Sequence, residues 1–220
     1  KPIHISTQNI RYSALSVANG ELDLFGHYPN TMKNPLTLRN VKLSLFDGVL
    51  TVPQLTFPQS KMATLSFTNI DLAQVLALAQ YNQVTLTGRA NAVMPFWLGH
   101  KECLICNGTL EQVGNVSIKL TDEMVKGLKK GGWTENILVD LLKEMELQNS
   151  HAAVTLDPKG QMTLRASISG FNPTKRTNNP ITLNYTHQEN MFELWNMIDY
   201  GSQFEQNLQY KLYKQLDKDK

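Results

Sequence analysis

The sequence predicts a β-rich α+β domain. In this domain a curved antiparallel sheet forms a hydrophobic groove, partly covered by amphipathic helices and followed by C-terminal helices. Three observations support this fold class: stretches of alternating apolar and polar residues, turn signals between them, and a few segments with helical periodicity. We expect residues 1–220 to form one domain, with an amphipathic helix and tail over 202–220.

Alternation of apolar and polar residues is the strongest signal along the chain. In residues 36–46, Val41, Leu43 and Leu45 share one face, and Lys42 and Ser44 share the other. Such alternation is typical of an antiparallel sheet with one apolar face and one solvent-exposed polar face. The same pattern recurs in 116–120, 151–156, 161–169 and 181–186, with hairpin turns predicted at Asp47-Gly48 and at 157–160.

Helical periodicity interrupts the strands in several places. Asp71 is the predicted N-cap of a helix over 71–80, and Thr134 the predicted N-cap of a helix over 134–145. Other helices are expected from Thr121, from Thr186 or Asn190 through 198, and over 202–217. The last one has a narrow apolar stripe, which favours docking on the domain and leaves docking on a partner open.

Composition excludes several classes of protein. Apolar residues make up 41% and charged residues 18%, which excludes a disordered chain. With 21 Lys+Arg against 19 Asp+Glu, the net charge of +2 offers no basis for binding nucleic acid. No window approaches the ~18 consecutive apolar residues of a membrane span. The opening KPIHIST lacks a Met and a signal peptide, so we expect a piece of a longer protein.

The two cysteines, Cys103 and Cys106, have CxxC spacing and leave three interpretations open. With His100 and Glu102 they form a possible four-ligand zinc cluster, although one CxxC is half of a structural zinc site. A disulfide across a bend is the second interpretation. The strand-like flanks favour the third, two unlinked thiols, because residues i and i+3 of a strand point to opposite faces. We expect neither a metal nor a cofactor.

No constellation of catalytic residues is present in the sequence. There is no HExxH pair, no GxSxG elbow and no Gly-rich phosphate loop, and the five histidines are scattered. Several acidic residues fall in the first turns of predicted helices, where a favourable interaction with the helix dipole accounts for their presence without a catalytic role. They are Asp122, Glu123, Glu135 and Glu189. We therefore expect a protein that is not an enzyme. An enzyme or metal protein built around residues 100–106 is the weaker alternative.

Two stretches carry a resemblance to a known family. The first contains NIDLAQVLAL, VTLTGRANAVMPFWL and ICNGTLEQVGN within 67–115, and the second contains GFNPTKRTNNPITLN and HQENMFEL within 167–198. Together they resemble the C-terminal region of the YdbH family, AsmA-like proteins of the Gram-negative envelope related to TamB. The resemblance covers about the last two thirds of the chain. The pair Cys103 and Cys106 has no counterpart in the pattern.

The resemblance implies a non-catalytic carrier of phospholipid. By this resemblance, family members form long β-grooves in the periplasm and are anchored in the inner membrane by an N-terminal helix, which we expect to lie outside this chain. This chain is then expected near the outer membrane. There a small outer-membrane lipoprotein, similar to YnbE, is expected to extend the groove by strand addition. The alternative is an interaction module that docks such a lipoprotein and binds no lipid.

The candidate groove residues are the apolar positions of the alternating strands. Their alternative role is ordinary core packed against the helices predicted over 71–80 and 134–145. The candidates are Val41, Leu43, Leu45, Val116, Ile118, Met162, Leu164, Ile168 and Leu183.

Overall fold

A computed structural model describes residues 2–12, 15–26, 29–78, 84–123, 125–126, 143–174, 180–193 and 196. Within these residues the chain forms one 11-stranded antiparallel sheet and one fully described short helix, with further helical residues at 122–123, 125–126, 191–193 and 196. The β-rich fold class predicted from the sequence is confirmed. The predicted helix over 202–217 lies outside the described residues, as do residues 127–142.

The strands follow one another across the sheet in chain order. They are β1 (Ile3–Tyr12), β2 (Leu15–Phe25), β3 (Leu36–Leu45), β4 (Gly48–Phe57), β5 (Ala63–Asp71), β6 (Val84–Phe96), β7 (Ile105–Leu120), β8 (Glu144–Leu147), β9 (His151–Leu156), β10 (Gln161–Phe171) and β11 (Ile181–Asn190). The helix α1 (Leu72–Leu78) separates β5 from β6. Each strand up to β8, and each from β9 onwards, pairs with the next in sequence, so the sheet is an antiparallel meander that is interrupted between β8 and β9.

Two short strands share one position in the sheet. β8 pairs with residues 116–119 of β7 and with 170–171 of β10. β9 pairs with the other halves of the same two strands, β7 from 105 to 111 and β10 from 162 to 167. The two strands therefore lie end to end between β7 and β10, and the sheet has ten strand positions.

The first predicted hairpin turn is displaced by one residue. The turn residues are Phe46 and Asp47, with φ of 52° and 51°, and Gly48 already pairs with Leu45 in the ladder. Positive φ at both central residues is the geometry that matches the twist of the flanking strands. Gly48 is still required, because a Cβ there would lie 2.5 Å from the carbonyl oxygen of Thr68.

Asparagines in the left-handed conformation interrupt the ladder. Asn40, Asn69 and Asn107 have φ between 52° and 56°, and a register shift lies beside each of them. Asparagine tolerates this conformation better than most residues with a side chain. Bulges of this kind bend a strand and increase its twist, which is consistent with the curved sheet that the sequence predicts.

The helix caps are partly as predicted. Asp71 Oδ1 accepts the backbone N–H of Ala73 at 2.8 Å, which confirms the predicted cap of α1. Of the two proposed caps before residue 191, Thr186 is wrong because it lies inside β11. Asn190 is correct, since its Oδ1 accepts the backbone N–H of Phe192 at 3.0 Å.

The predicted helix over 134–145 is wrong at its end. Met145 lies in β8, opposite Ile118 of β7, and is 2% exposed. The segment EMEL alternates Met145 and Leu147 with two glutamates, which is a strand pattern of period two. The sequence prediction assigned Met145 to the apolar stripe of the preceding segment and missed this change of period.

The main core lies where α1 packs on the sheet. Its buried members are Ile70, Leu72, Ala90, Val116, Met145 and Leu147. Phe46, in the turn between β3 and β4, and Val75 of α1 pack against this cluster. One short helix thus covers the middle of the sheet.

Candidate functional site

One side of the sheet carries an apolar row that crosses all ten strand positions. Residues opposite each other in adjacent strands share a face, so the ladder can be followed from β1 to β11. In order, the row is Thr7, Gly20, Leu43, Leu50, Phe67, Ala92, Leu110, Ala152, Ala166 and Tyr185. We call the face that bears this row the apolar face.

The adjacent row, one residue along each strand, has the opposite character. It consists of Ser6, Glu21, Lys42, Thr51, Ser66, Val93, Thr109, Ala153, Arg165 and Thr186. We call its side of the sheet the polar face. Because the two rows belong to the same ten strand positions, the whole sheet is amphipathic.

All nine candidate groove residues lie on the apolar face. Val41 and Leu45 alternate with Leu43 along β3. Val116 lies opposite Leu147, which in turn lies opposite Gly170 of β10. The candidates of β10 and β11 alternate with Ala166 and Tyr185 in those strands. That these residues contact lipid stays a prediction.

The nine candidates differ in how far they are covered. Val116, Leu45 and Val41 are buried, at 2%, 7% and 9% exposure, and the other six are half-buried. Val116 belongs to the core beneath α1, with Ile118 and Ile168 packed against it. The remaining candidates, among them Leu43 and Leu164, lie outside that cluster.

The apolar face becomes exposed towards both edges of the sheet. At its centre Ala90 is 0% and Ala92 is 3% exposed, whereas Ile3 on β1 is 60% and Tyr185 on β11 is 44% exposed. Among the described residues, β1 pairs only with β2 and β11 only with β10. Both edges therefore present apolar side chains, and within the described part of the chain no strand pairs with their outer side.

Three polar side chains interrupt the apolar face on β11. Tyr185, His187 and Glu189 lie opposite Ala166, Leu164 and Met162 of β10. The prediction that Glu189 lies in a helix first turn is wrong, because β11 extends to Asn190. The signal that it missed is the period-two alternation of Ile181, Leu183 and Tyr185, which continues through both residues.

The polar face carries a small charged cluster near the β1 edge. His4 Nδ1 donates to Asp23 Oδ1 at 2.9 Å, and Asn40 Nδ2 donates to Asp23 Oδ2 at 2.8 Å. These hydrogen bonds, that of His4 first, hold the pKa of the Asp23 carboxyl below its ordinary value of 3.8. The depressed pKa contributes stability above the ordinary value, and that contribution is lost as the pH falls through the lowered pKa.

A disulfide joins Cys103, in the loop between β6 and β7, to Cys106, the second residue of β7. The favoured interpretation of unlinked thiols is therefore wrong. The chain bends before β7 begins at Ile105, so the two Cα atoms lie 5.4 Å apart, within the range that a disulfide spans. His100 Nδ1 lies 3.5 Å from Cys103 Sγ, and the ligand atoms of His100, Cys103 and Cys106 lie within 4.8 Å of one another. Metal binding by both thiolates requires the bond between the sulfurs to be reduced.

Comparison with known proteins identifies the family. The sequence model of the YdbH-like family, described as "Intermembrane phospholipid transport protein YdbH", matches residues 3–213. The chain belongs to the YdbH-like family. The resemblance noted in the sequence is thereby confirmed, and it extends to the N-terminal strands, where the sequence analysis found no motif.

The chain also matches a curated relative that is several times longer than the chain itself. The chain is 27% identical over 187 residues to the "Probable phospholipid transport protein YdbH" of Escherichia coli (strain K12). The match covers 85% of this YdbH-like chain and 21% of the relative. No solved structure matches the chain. None of the helices among the described residues is long and apolar enough to span a membrane.

Proposed function

We propose that this chain is a periplasmic segment of a bridge-like protein that carries phospholipids between the inner and outer membranes. The lipid moves along the apolar face, which acts as the wall of a groove, and no bond is made or broken. The observation that supports this function is the apolar row from Leu43 to Tyr185, which runs without a charged side chain across the sheet. Membership of the YdbH-like family supports the same cargo.

The physical basis of such transport is passive solvation of the acyl chains. Burial of a methylene group is worth ~0.8 kcal/mol, so a sixteen-carbon chain in water costs about 13 kcal/mol. A continuous apolar face removes most of that barrier along the path. Half-buried side chains such as Leu43, Leu164 and Leu183 leave apolar area to contact a lipid.

The place of this segment in the whole protein is part of the proposal. The matched relative is several times longer than this chain, which covers 21% of it. We assign the inner-membrane anchor to the N-terminal part of such a protein and this chain to the end near the outer membrane.

Site-specific photo-crosslinking in the full-length protein tests lipid contact. A photoreactive amino acid replaces Leu164 on the apolar face or, as the matched control, Thr163 on the polar face of the same strand. Cells grown with radioactive phosphate are irradiated, and the purified protein is examined for labelled lipid. We expect a phospholipid adduct at 164 and none at 163. An unlabelled protein at 164, with Leu43 and Leu183 equally unlabelled, would refute the groove.

A charge on the apolar face tests transport itself. Leu164→Glu is expected to stop phospholipid transport by the full-length protein, because a carboxylate in the path interrupts acyl solvation. Thr163→Glu, which places the same charge on the polar face, is expected to retain it. Circular dichroism and thermal melting of both variants establish that the fold persists. If Leu164→Glu unfolds the protein, the residue is ordinary core.

The second candidate function is a docking module for a small outer-membrane lipoprotein, similar to YnbE. The observation that favours it is the edge of β11, which pairs only with β10 among the described residues. An unpaired strand edge accepts another chain by backbone hydrogen bonding. A module that only docks would give protein adducts from β11 and no lipid adduct at 164.

A further inference from the structure

The apolar face changes its chemistry on the last strand. Along β10 the face consists of Met162, Leu164 and Ala166, whereas their partners on β11 are Glu189, His187 and Tyr185. We call these three partners the β11 rail. An acyl chain lying along β10 would therefore have alkyl side chains beneath it and polar side chains at its flank.

Within the β11 rail, the side chain of His187 contacts those of both Tyr185 and Glu189. Tyr185 Oη and His187 Nδ1 lie 3.3 Å apart, with their rings stacked at an interplanar angle of 15° and a centroid distance of 6.1 Å. His187 Nε2 lies 3.6 Å from Glu189 Oε2. The rail is thus an ordered set in which the imidazole is held between a phenol and a carboxylate.

The side chains of the rail are partly exposed. The side chains of His187 and Glu189 are 36% and 40% exposed, and Tyr185 is 44% exposed. At this exposure the polar groups carry no large desolvation cost, and they remain within reach of a molecule on the apolar face. The arrangement is suited to the boundary between the acyl chains of a lipid and its headgroup.

We propose that the β11 rail recognises the primary ammonium headgroup of a phospholipid whose acyl chains lie on the adjacent apolar face. This inference rests on the proposed function. Glu189 supplies the carboxylate that accepts N–H donors from the ammonium group, and such charge-assisted hydrogen bonds are the strong ones. The ring of Tyr185 adds an aromatic surface that attracts a cation.

The same chemistry disfavours the other headgroups. An anionic headgroup without an amine, such as glycerol phosphate, meets the Glu189 carboxylate with like charge. A quaternary ammonium group has no N–H to donate and is usually held by several aromatic rings, whereas the β11 rail contains the single phenol of Tyr185. An ethanolamine headgroup is therefore the best match.

The test is the composition of lipid crosslinked to the full-length protein in cells. A photoreactive amino acid replaces Leu183, which precedes the rail on the same face of β11. Mass spectrometry counts adducts of phosphatidylethanolamine and phosphatidylglycerol. We expect Glu189→Gln to lower the ratio of the first to the second by about three- to tenfold, the effect of one charge-assisted hydrogen bond at a partly exposed site.

A matched control removes a glutamate charge at a position that does not belong to the rail. Glu193 is exposed in the helical segment that follows β11, and Glu193→Gln is expected to leave the ratio unchanged. Equal ratios in the unaltered protein and in Glu189→Gln, or the same change in Glu193→Gln, would overturn the headgroup assignment. Lipid adducts at position 164 combined with none at position 183 would also overturn the headgroup assignment. Lipid adducts at neither position would overturn the proposed function as well, so the two failures are distinguishable.

Discussion

At the scale of single residues, the loop after β6 contains the clearest covalent constraint. Cys103 and Cys106 close a loop of four residues, and Trp97 packs its ring 4.9 Å from that of His100 in the same loop. A disulfide stabilises mainly by restricting the unfolded chain, and the restriction grows with loop length. This disulfide therefore orders the β6–β7 connection and adds little to the stability of the sheet.

The disulfide leads to a prediction about thiols and stability. The unreduced protein is expected to contain no titratable thiol and no stoichiometric zinc. The double substitution Cys103→Ser with Cys106→Ser is expected to lower the free energy of unfolding by about 2 kcal/mol or less, as loop closure over four residues implies. Thiol titration, elemental analysis and urea denaturation measure these quantities. Two free thiols with bound zinc would instead favour the metal cluster.

At the scale of elements, the pairing of β6 with β7 depends on one glycine. Gly88 has φ of +109°, which a residue with a side chain rarely adopts, and a Cβ there would lie 2.6 Å from the carbonyl oxygen of Asn115. The register of β6 against β7 shifts between Thr87 and Arg89. The glycine thus allows the close approach of two central strands where the ladder is irregular.

Comparing two glycine substitutions tests this role. Gly88→Ala is expected to lower the free energy of unfolding by at least about 2 kcal/mol, since backbone strain and a backbone clash add. Gly99→Ala is the control, because Gly99 also has a positive φ, of +78°, but no atom within 4 Å of the added Cβ. A cost of about 1 kcal/mol is expected there. Equal costs by urea denaturation would show that the close approach is unimportant.

At the scale of the whole molecule, stability is expected to fall from the centre of the sheet towards its edges. The most buried residues are Ala90 of β6, Val116 of β7 and Met145 of β8, and they belong to the core beneath α1. The edge strands pair on one side only among the described residues, and Ile3 on β1 is 60% exposed. Local opening requires fewer broken contacts at such edges.

Hydrogen exchange measures this gradient. Backbone amides of β6 and β7 are expected to exchange slowest, and those of β11 at least tenfold faster, in the full-length protein followed by mass spectrometry. Amides of β3 and β4, which pair on both sides, serve as the internal control. If β11 is as protected as β6, its edge is covered by another strand, as the docking alternative requires.

Local patterns alone are sufficient to predict much of the fold. Alternation in 36–46 and 161–169 predicts which side chains share a face, because the side-chain period of a strand is two wherever it lies. The cap at Asp71 is equally local, since it needs only the following two residues. The amphipathic sheet and the family resemblance therefore follow from the amino-acid sequence alone.

The sequence by itself determined that this protein is an antiparallel sheet with one apolar face, because alternation and turn chemistry act within a few residues. Tertiary structure decided what depends on distant partners. Met145 is a strand residue because Ile118 lies opposite it, and Cys103 reaches Cys106 because the chain bends there. Ladder register likewise placed Glu189 opposite Met162 of β10. Register between strands arises from pairing over long sequence separations, which no local pattern contains.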